Sequence, residues 1–285
     1  MAIRVLITGG GGLLATELKY FFERFPNFSV YIASKSEIDI TNIDSLKFLI
    51  SYFKPDAIIN CAAYTDVDGA EIQKLIAKAN NITGVQNIAS ICLDLHIHLI
   101  QISTASIFNS NSLEFIKGDA EPNPTNFYSE TKLFGEQVCK KFIDSGAEIL
   151  ILRPYWLYGL KSPNFTDFVI KSVSAKSKIR IVFDQFGQPT SALNLCRIIK
   201  FGIENRIVGF YPGTNSGMTN RVEWSREICN HFNFNSNLIT PVSHKEFKST
   251  ALRPFNASLS HSENDDIGYR SMHWLEALHE FLNKT

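Results

Sequence analysis

Short runs that are apolar throughout recur along the first half of the chain, and they alternate with longer stretches whose apolar residues return every three or four positions. The runs at 3–8, 28–33, 57–61, 97–103 and 148–152 predict strands, and the stretches at 13–25, 43–53, 70–94 and 127–144 predict helices. Val5-Leu6-Ile7 and Ala57-Ile58-Ile59 lack the polar alternation of a half-exposed strand, as expected where helices cover both faces. Strictly alternating strand and helix patterns predict an α/β fold with a doubly wound parallel sheet. After Arg153-Pro154 the texture changes. Gly, Pro, Asn and Ser turns separate a strand candidate at Ile179–Val182 from helices near 165–176, 191–204 and 220–232, and an amphipathic helix closes the chain over Met272–Leu282.

Composition narrows the function classes. The chain has 285 residues, enough for one large α/β domain with a smaller annex. Lys+Arg 28 balances Asp+Glu 28, which removes the long-range attraction that non-specific nucleic-acid binding needs while leaving room for a local anion site. No apolar stretch approaches the roughly 20 residues of a membrane span, so neither a nucleic-acid nor a membrane partner is expected. Cys61, Cys92, Cys139, Cys196 and Cys229 are odd in number, widely spaced and free of any Cys-x-x-Cys pair, and read as buried thiols. The first strand candidate follows Met1 too closely for an export leader, and a cytoplasmic location is expected.

The first strand runs into Thr8-Gly9-Gly10-Gly11-Gly12-Leu13-Leu14-Ala15, with small residues at 9, 12 and 15 before a helical pattern. Glycine there permits positive φ and close backbone approach to a pyrophosphate, while the helix start offers amide donors and a favourable dipole. A glycine-rich turn with no ligand would share the pattern, so its context decides. Gly9, Gly11, Gly12, Leu13 and Leu14 are the candidate phosphate cradle. We therefore read residues 1–153 as a dinucleotide-binding domain and 154–285 mainly as a substrate-binding annex, the segment near 190–205 being a candidate to return to the first domain. The second strand candidate ends Tyr31-Ile32-Ala33-Ser34-Lys35-Ser36, without the acid that an NAD site commonly sets against the adenosine ribose. Ser34 and Lys35 suit a 2′-phosphate, so NADP(H) is preferred and NAD(H) stays open. Asp39 and Ile40 border the adenine in one reading; in the other, Asp39 caps the helix that begins near Ile43.

Tyr128 and Lys132 stand four apart in a helical pattern and so share a face. A phenol's reference pKa of about 10 lies about 3 units above neutrality, a gap worth roughly 4 kcal/mol. One ammonium about 4 Å away at an effective dielectric near 20 supplies about that much. Alone, a Tyr-x-x-x-Lys pair is an ordinary aromatic and a surface lysine. Here Ile100-Gln101-Ile102-Ser103-Thr104 ends a strand in hydroxyls, and Asn60-Cys61-Ala62-Ala63-Tyr64-Thr65 ends another in small residues. In a doubly wound sheet both ends face the ligand crevice. Thr104 can bond a reacting carbonyl, and Ala62, Ala63, Tyr64 and Thr65 can let a dinucleotide lie against backbone.

Asn60–Asp68, Tyr128–Glu136, Arg153–Gly159 and Asp184–Thr190, with Arg253–Leu259 as a later echo, make the chain similar nearly end to end to the extended short-chain dehydrogenase/reductases. Within them it resembles the dTDP-4-dehydrorhamnose reductase group. The resemblance implies a Rossmann sheet and a reductase that transfers hydride from NADPH to the C4 ketone of a nucleotide-linked 4-keto-6-deoxysugar. Tyr128 would give the proton, Thr104 orient the carbonyl, and Lys132 tune Tyr128 and hold the nicotinamide ribose beside Pro154. Asn81 matches a helix asparagine that relatives place beneath the lysine; a helix asparagine bonding its own backbone fits equally well.

On the substrate side, Ser103, Thr104, Trp156, Tyr158, Gln185 and Arg253 are candidates, Arg253 through its fork of donors to a diphosphate. Each annex residue among them can instead serve the annex itself. Relatives usually follow the strand-end Thr with Asp-Tyr, where this chain has Ala105-Ser106, a departure that bears on which sugar is taken. Some relatives link dimers through a metal held by an acid just after the Gly-x-Pro-Thr run; Ser191-Ala192-Leu193-Asn194 offers none, and no metal is expected, with a monomer or homodimer as the assembly. His96 and His98 alternate into a strand on one face and lack a third ligand. A non-catalytic regulatory subunit and a nucleotide-sugar epimerase are the competing functions.

Overall fold

The computed structural model of the chain describes residues 2–161 and 163–284. Five strands, β1 (Ile3–Thr8), β2 (Phe28–Ile32), β3 (Ala57–Asn60), β4 (His98–Ile102) and β5 (Ile149–Arg153), are joined by a sixth, β6 (Gly209–Pro212). They form one sheet in the order β6-β5-β4-β3-β1-β2, with every pair parallel. The expected doubly wound sheet is thus present. The chain leaves β1 toward β2 on one side and returns to β3 on the other, so strand direction of travel reverses at β1/β3, and a crevice opens at the carboxyl ends there.

The apolar runs account for both covered faces. Val5, Ile7, Ile59, Ile100 and Leu152 face a layer made by α1 (Leu13–Phe22) and a later helix, Ala192–Glu204. Leu6, Ile58, Leu99, Ile149 and Ile151 face the opposite layer, which includes α2 (Ile43–Phe53) and a helix at Gly84–Leu95. Gly202 in the first layer lets its helix approach the sheet so closely that an added Cβ would lie 2.3 Å from Leu150 Cδ2.

The pattern at 70–94 resolves into several pieces. α3 (Val67–Ile72) and α4 (Lys74–Lys78) are separated at Gln73, whose φ of −97° and ψ of 49° break the helix. A π-helical turn at Ala79–Thr83 then precedes α5 (Gly84–Leu95). The wide turn carries Asn81, which is buried, and π-turns of this kind concentrate at functional sites. His96 is the left-handed cap of α5, at φ 54°, and only His98 lies in β4, where its Nε2 donates to the Ile207 carbonyl at 2.9 Å. The two histidines therefore do not share a strand face. β6 was not expected: four residues bounded by Gly209 and Pro212 carry too little pattern, yet they pair with β5 from Leu150 to Arg153.

α6 (Phe127–Asp144) starts at Asn126, whose Oδ1 accepts from the Ser129 amide at 2.9 Å. Beneath it, Glu136 and Arg153 form a two-pronged pair, with Arg153 Nη2 2.8 Å from Oε2 and Nε 3.1 Å from Oε1. Glu136 is 3% exposed and Arg153 6%. Removing one member strands a buried charge, so Glu136→Gln is expected to lower unfolding free energy by about 3 kcal/mol in urea denaturation.

The annex has its own core around Trp224, Tyr158, Val169 and Ile228, built on α7 (Phe165–Ser174), α9 (Arg221–Phe232) and a terminal helix at Trp274–Leu282, with α8 (Ala192–Glu204) between it and the sheet. Strands Ile179–Val182 and Ile239–Val242 pair in parallel outside the main sheet. Among the described residues no helix is long and apolar enough to cross a membrane.

Candidate active site

A cleft of about 520 Å³ lies between the carboxyl ends of the strands and the annex, within the usual size range of small-molecule sites. Its first-domain wall holds Gly12, Leu13, Leu14, Cys61, Ala63, Thr65, Ser103, Thr104, Tyr128, Lys132 and Pro154; the annex side adds Trp156, Gln185, Arg221 and Arg253. Most of the residues singled out from the sequence thus meet at one cavity, although they come from widely separated segments.

The glycine turn has the geometry a dinucleotide needs. Gly9 has φ +72°, and a Cβ there would lie 2.7 Å from the Ala62 nitrogen and 2.8 Å from the Cys61 carbonyl carbon. The turn therefore packs directly on the small-residue end of β3. Gly12 is the N-cap of α1 and supplies no side-chain cap, leaving the first-turn amides to a ligand. Ser103 Oγ, buried at the cleft wall, has no hydrogen-bond partner among the described residues. An uncapped helix start and an orphaned hydroxyl fit a bound phosphate-bearing cofactor.

At the end of β2 the structure adds an acid that the strand pattern does not show. Glu37, five residues beyond the strand end, turns back so that Oε2 accepts from the Ser34 amide at 2.8 Å and from Ser34 Oγ at 2.6 Å. Tyr31 also donates to its Oε1 at 2.7 Å, and these donors hold the carboxyl down at about 2. An acid is present after all, delivered by a turn rather than by the strand, and Ser34 is engaged with it. Lys35 is exposed. Asp39 does not cap α2; Asn42 does, through Asp44 and Ser45, while Asp39 binds Thr41. The Ile40 side chain is in the core against Gly84, and its carbonyl accepts from Asn87.

A polar ladder crosses the strand ends. Thr8 Oγ1 donates to Asn60 Oδ1 at 2.6 Å, Asn60 Nδ2 to Gln101 Oε1 at 2.8 Å, and Gln101 Nε2 to the Ile102 carbonyl at 3.0 Å. The same carbonyl accepts from Lys132 Nζ at 2.7 Å. These bonds satisfy every rung of a desolvated floor and fix the lysine's reach. Burial lowers the Lys132 pKa to about 8, with Glu136 opposing the shift. Tyr128 moves the other way from what its neighbour lysine alone would cause: burial pushes its phenol up to about 12, and the Thr104 hydroxyl beside it pulls back only in part. Lys132, held on Ile102, does not offset that desolvation, so Tyr128 is a neutral phenol. Asn81 packs under α6 and does not bond its own helix through its side chain: its Nδ2 donates to Thr131 Oγ1 at 2.9 Å and its Oδ1 accepts from the Tyr64 amide at 2.9 Å, bracing α6 against the end of β3.

Thr104 shares a hydroxyl contact of 3.0 Å with Ser106, which in turn lies 2.9 Å from Ser129 Oγ. Ser106 thus lines the cavity where its small side chain leaves space. Trp156 takes a left-handed backbone at φ 47° and is held between Tyr155, with centroids 5.1 Å apart, and Trp224 at 6.1 Å. Strain of this kind is tolerated where packing over-determines it. Tyr158 is not in the cleft. It is fully buried in the annex core between Trp224 and Phe281, because its position two residues after Trp156 turns it inward. Asp184, ahead of Gln185, binds Ser243 and His244 and is structural. Sequence reasoning missed Ser106, Asn126, Tyr155 and Arg221 as cavity residues; Arg221 carried one signal, a cation in the first turn of a helix, where the dipole disfavours it. Among the described residues no group of three or more His, Cys, Asp or Glu stands together to hold a metal ion.

A parallel sheet with its crevice at β1/β3, an uncapped Gly-rich helix start and a Thr-Tyr-Lys cluster over that crevice define an extended short-chain dehydrogenase/reductase. The comparisons carry this to a family. The model described as the RmlD substrate binding domain matches residues 3–285, and the chain belongs to that family. It is 28% identical over 283 residues to the spore coat polysaccharide biosynthesis protein SpsK of Bacillus subtilis, covering 99% of this chain and 97% of that one. It is 29% identical over 280 residues to the dTDP-4-keto-6-deoxy-D-glucose reductase of Streptomyces niveus, covering 98% and 96%. The solved structure of the dTDP-4-dehydrorhamnose reductase of Bacillus anthracis in complex with NADP superposes with a TM-score of 0.94 at 32% identity, covering 100% of each chain.

Proposed function

We propose that the protein reduces the C4 ketone of a nucleotide-linked 4-keto-6-deoxysugar, with NADPH as the hydride donor, in the making of deoxysugars for surface polysaccharides. The observation that carries this reading is the convergence of Thr104, Tyr128 and Lys132 on a cavity that also receives the uncapped start of α1. Relatives named for reduction of dTDP-linked sugars support a thymidine nucleotide. Five free cysteines, four of them buried, suit a reducing cytoplasm; a monomer or a homodimer serves the reaction equally.

The cofactor, when bound, supplies hydride to the ketone carbon. Gly9, Gly12, Leu13 and Leu14 would hold its pyrophosphate, Lys35 would reach a 2′-phosphate, and Ala62, Ala63, Thr65 and Pro154 would border its path. Glu37 beside Ser34 makes NADH a usable second donor. Thr104 donates to the ketone oxygen, and Tyr128, protonated throughout the physiological range, gives up its phenolic proton as charge develops there. Lys132, held by Ile102, stabilises the phenolate left behind and offers donors to the nicotinamide ribose. Ser106 leaves open space beside Thr104 for substituents of the sugar ring.

One assay tests the function and its pH dependence together. NADPH absorbance loss is followed with a panel of dTDP- and other nucleotide-linked 4-keto-6-deoxysugars; failure of every sugar, with cofactor binding demonstrated, refutes the reading. Below about pH 8 Lys132 keeps its ammonium, and above it the charge is lost, whereas Tyr128 keeps its proton to about 12. The rate should therefore be flat on the acid side and fall on the alkaline side from about pH 8. Glu136→Gln, by removing the charge that opposes the Lys132 shift, should move that fall to lower pH.

A further inference from the structure

Arg221 is the first residue of α9, directly after its Asn220 cap. Its guanidinium carbon lies 4.7 Å from the ring centroid of Trp156 and 4.7 Å from that of Phe165, so two apolar rings take up its surface. Burial draws its pKa below the usual arginine value, and the neighbouring Arg253 adds like-charge repulsion. Arg253 is itself committed: its Nη2 lies 2.6 Å and its Nη1 3.3 Å from the Asp68 carboxylate, which also accepts from the Ala251 amide. Among the described residues no carboxylate pairs with Arg221. It faces the cleft beside Tyr155, Trp156 and Gln185.

These features add up to stored positive potential. A desolvated cation without a counter-charge is costly, and the first turn of a twelve-residue helix adds the positive end of a dipole rather than relieving it. Asn220 already accepts from the Val222 and Glu223 amides, so the side-chain donors turned toward the cleft at this end are those of the guanidinium. The amide cradle for the cofactor's pyrophosphate belongs to α1 on the opposite wall, and the cavity between the two walls contains Tyr128 and Thr104. A ligand that places a ketone at Tyr128 and an anion at the annex wall satisfies both.

We infer that Arg221 binds the diphosphate of the nucleotide-linked substrate through its fork of N–H donors, with Arg253 held alongside by Asp68 as a supporting positive charge. The inference rests on the function proposed above. It makes Arg221 a specificity residue: a nucleoside diphosphate is held tightly, and the free nucleoside only weakly. A carboxylate-bearing sugar would find the same cation, but only a diphosphate offers oxygens on two adjacent phosphorus atoms to a planar fork.

The test is calorimetric titration of dTDP, UDP and thymidine into protein saturated with NADP+, using wild type, Arg221→Met and Arg221→Lys. Methionine keeps an apolar chain between the two rings. Loss of the charge-assisted bonds should weaken dTDP at least thirtyfold in Arg221→Met and to an intermediate extent in Arg221→Lys, with NADP+ affinity and Tm unchanged and weak thymidine binding unaltered. A dTDP affinity within threefold of wild type in folded Arg221→Met overturns the inference, and so does a variant that loses NADP+ instead, since Arg221 would then serve the cofactor. Should Arg221→Met fold poorly, Arg221→Lys decides: unchanged dTDP affinity there overturns the fork. If wild type binds no nucleoside diphosphate, the function proposed above falls with it; if it binds one indifferently to residue 221, this inference falls alone.

Discussion

Tyr128→Phe is expected to lower kcat for ketone reduction by about 10²- to 10⁴-fold, the usual worth of a positioned proton donor, while NADP+ affinity and Tm stay near wild type. The change removes one oxygen. The ring remains on α6 with Ser129 and Lys132 in place, and Lys132 keeps its bond to the Ile102 carbonyl, because that contact does not involve the phenol. The phenol's elevated pKa of about 12 is no obstacle to its role. A reduction needs the donor protonated before hydride arrives, and a buried neutral phenol meets that condition at every physiological pH. The proton leaves only when negative charge appears on the ketone oxygen, and the alkoxide that would otherwise form is the stronger base. The same burial handicaps the reverse reaction, alcohol oxidation, which must start from phenolate; its rate should rise with pH where ketone reduction falls. Single-turnover measurements of NADPH oxidation in wild type and Tyr128→Phe check the prediction, and retention of the full chemical rate by the variant would show that another group gives the proton.

The parts of this molecule that obey a periodicity were legible before the structure. Val5-Leu6-Ile7 and Ala57-Ile58-Ile59 announce buried strands, and strand–helix alternation implies the crossover order that opens the crevice at β1/β3. Tyr128 and Lys132 share a helix face by spacing alone, so their meeting with Thr104 required only the sheet. What escaped was set by contacts between distant segments. Gly209–Pro212 is too short to show a pattern, and becomes a strand because β5 presents a free edge from Leu150 to Arg153. Glu37 lies outside the strand whose end it reaches, and only the turn at Ser34 brings its carboxylate back. Tyr158 and Trp156, two apart, part company: one is in the annex core and the other at the cleft, and the left-handed backbone at Trp156 that separates them has no signature in a tryptophan. The Tyr128 shift was misjudged for a related reason. Coulomb's law supplied the attraction of a nearby ammonium, but the desolvation that outweighs it depends on how deeply Tyr155 and the annex cover the phenol.

Gly9→Ala should be the most damaging single methyl group in the first domain, costing at least about 3 kcal/mol of stability and about a hundredfold in kcat/KM for NADPH, whereas Gly11→Ala should leave Tm unchanged. Two separate penalties fall on residue 9. Its φ of +72° is a left-handed conformation, which an L side chain occupies at a cost of about 1–2 kcal/mol. A Cβ would also stand 2.7 Å, 2.8 Å and 2.9 Å from three backbone atoms of Cys61 and Ala62, and backbone cannot swing aside as the end of a flexible side chain can. Relief requires the β1 turn and the end of β3 to separate by about 0.7–1 Å, the shortfall from ordinary van der Waals contact. That movement shifts Gly12 and the amides of α1 on one side, and on the other Asn60, which links Thr8 to Gln101 in the ladder beneath Lys132. Gly12 follows the clash by three residues and Asn60 adjoins Cys61, and displacements of about 1 Å near a reacting centre cost on the order of a hundredfold. Gly11, two positions on, meets nothing within 4 Å, so a methyl group there probes ligand approach without straining the fold. Thermal denaturation and NADPH kinetics of the two variants side by side separate the explanations: equal Tm values for Gly9→Ala and Gly11→Ala would mean that the close approach at Cys61–Ala62 does not hold the turn.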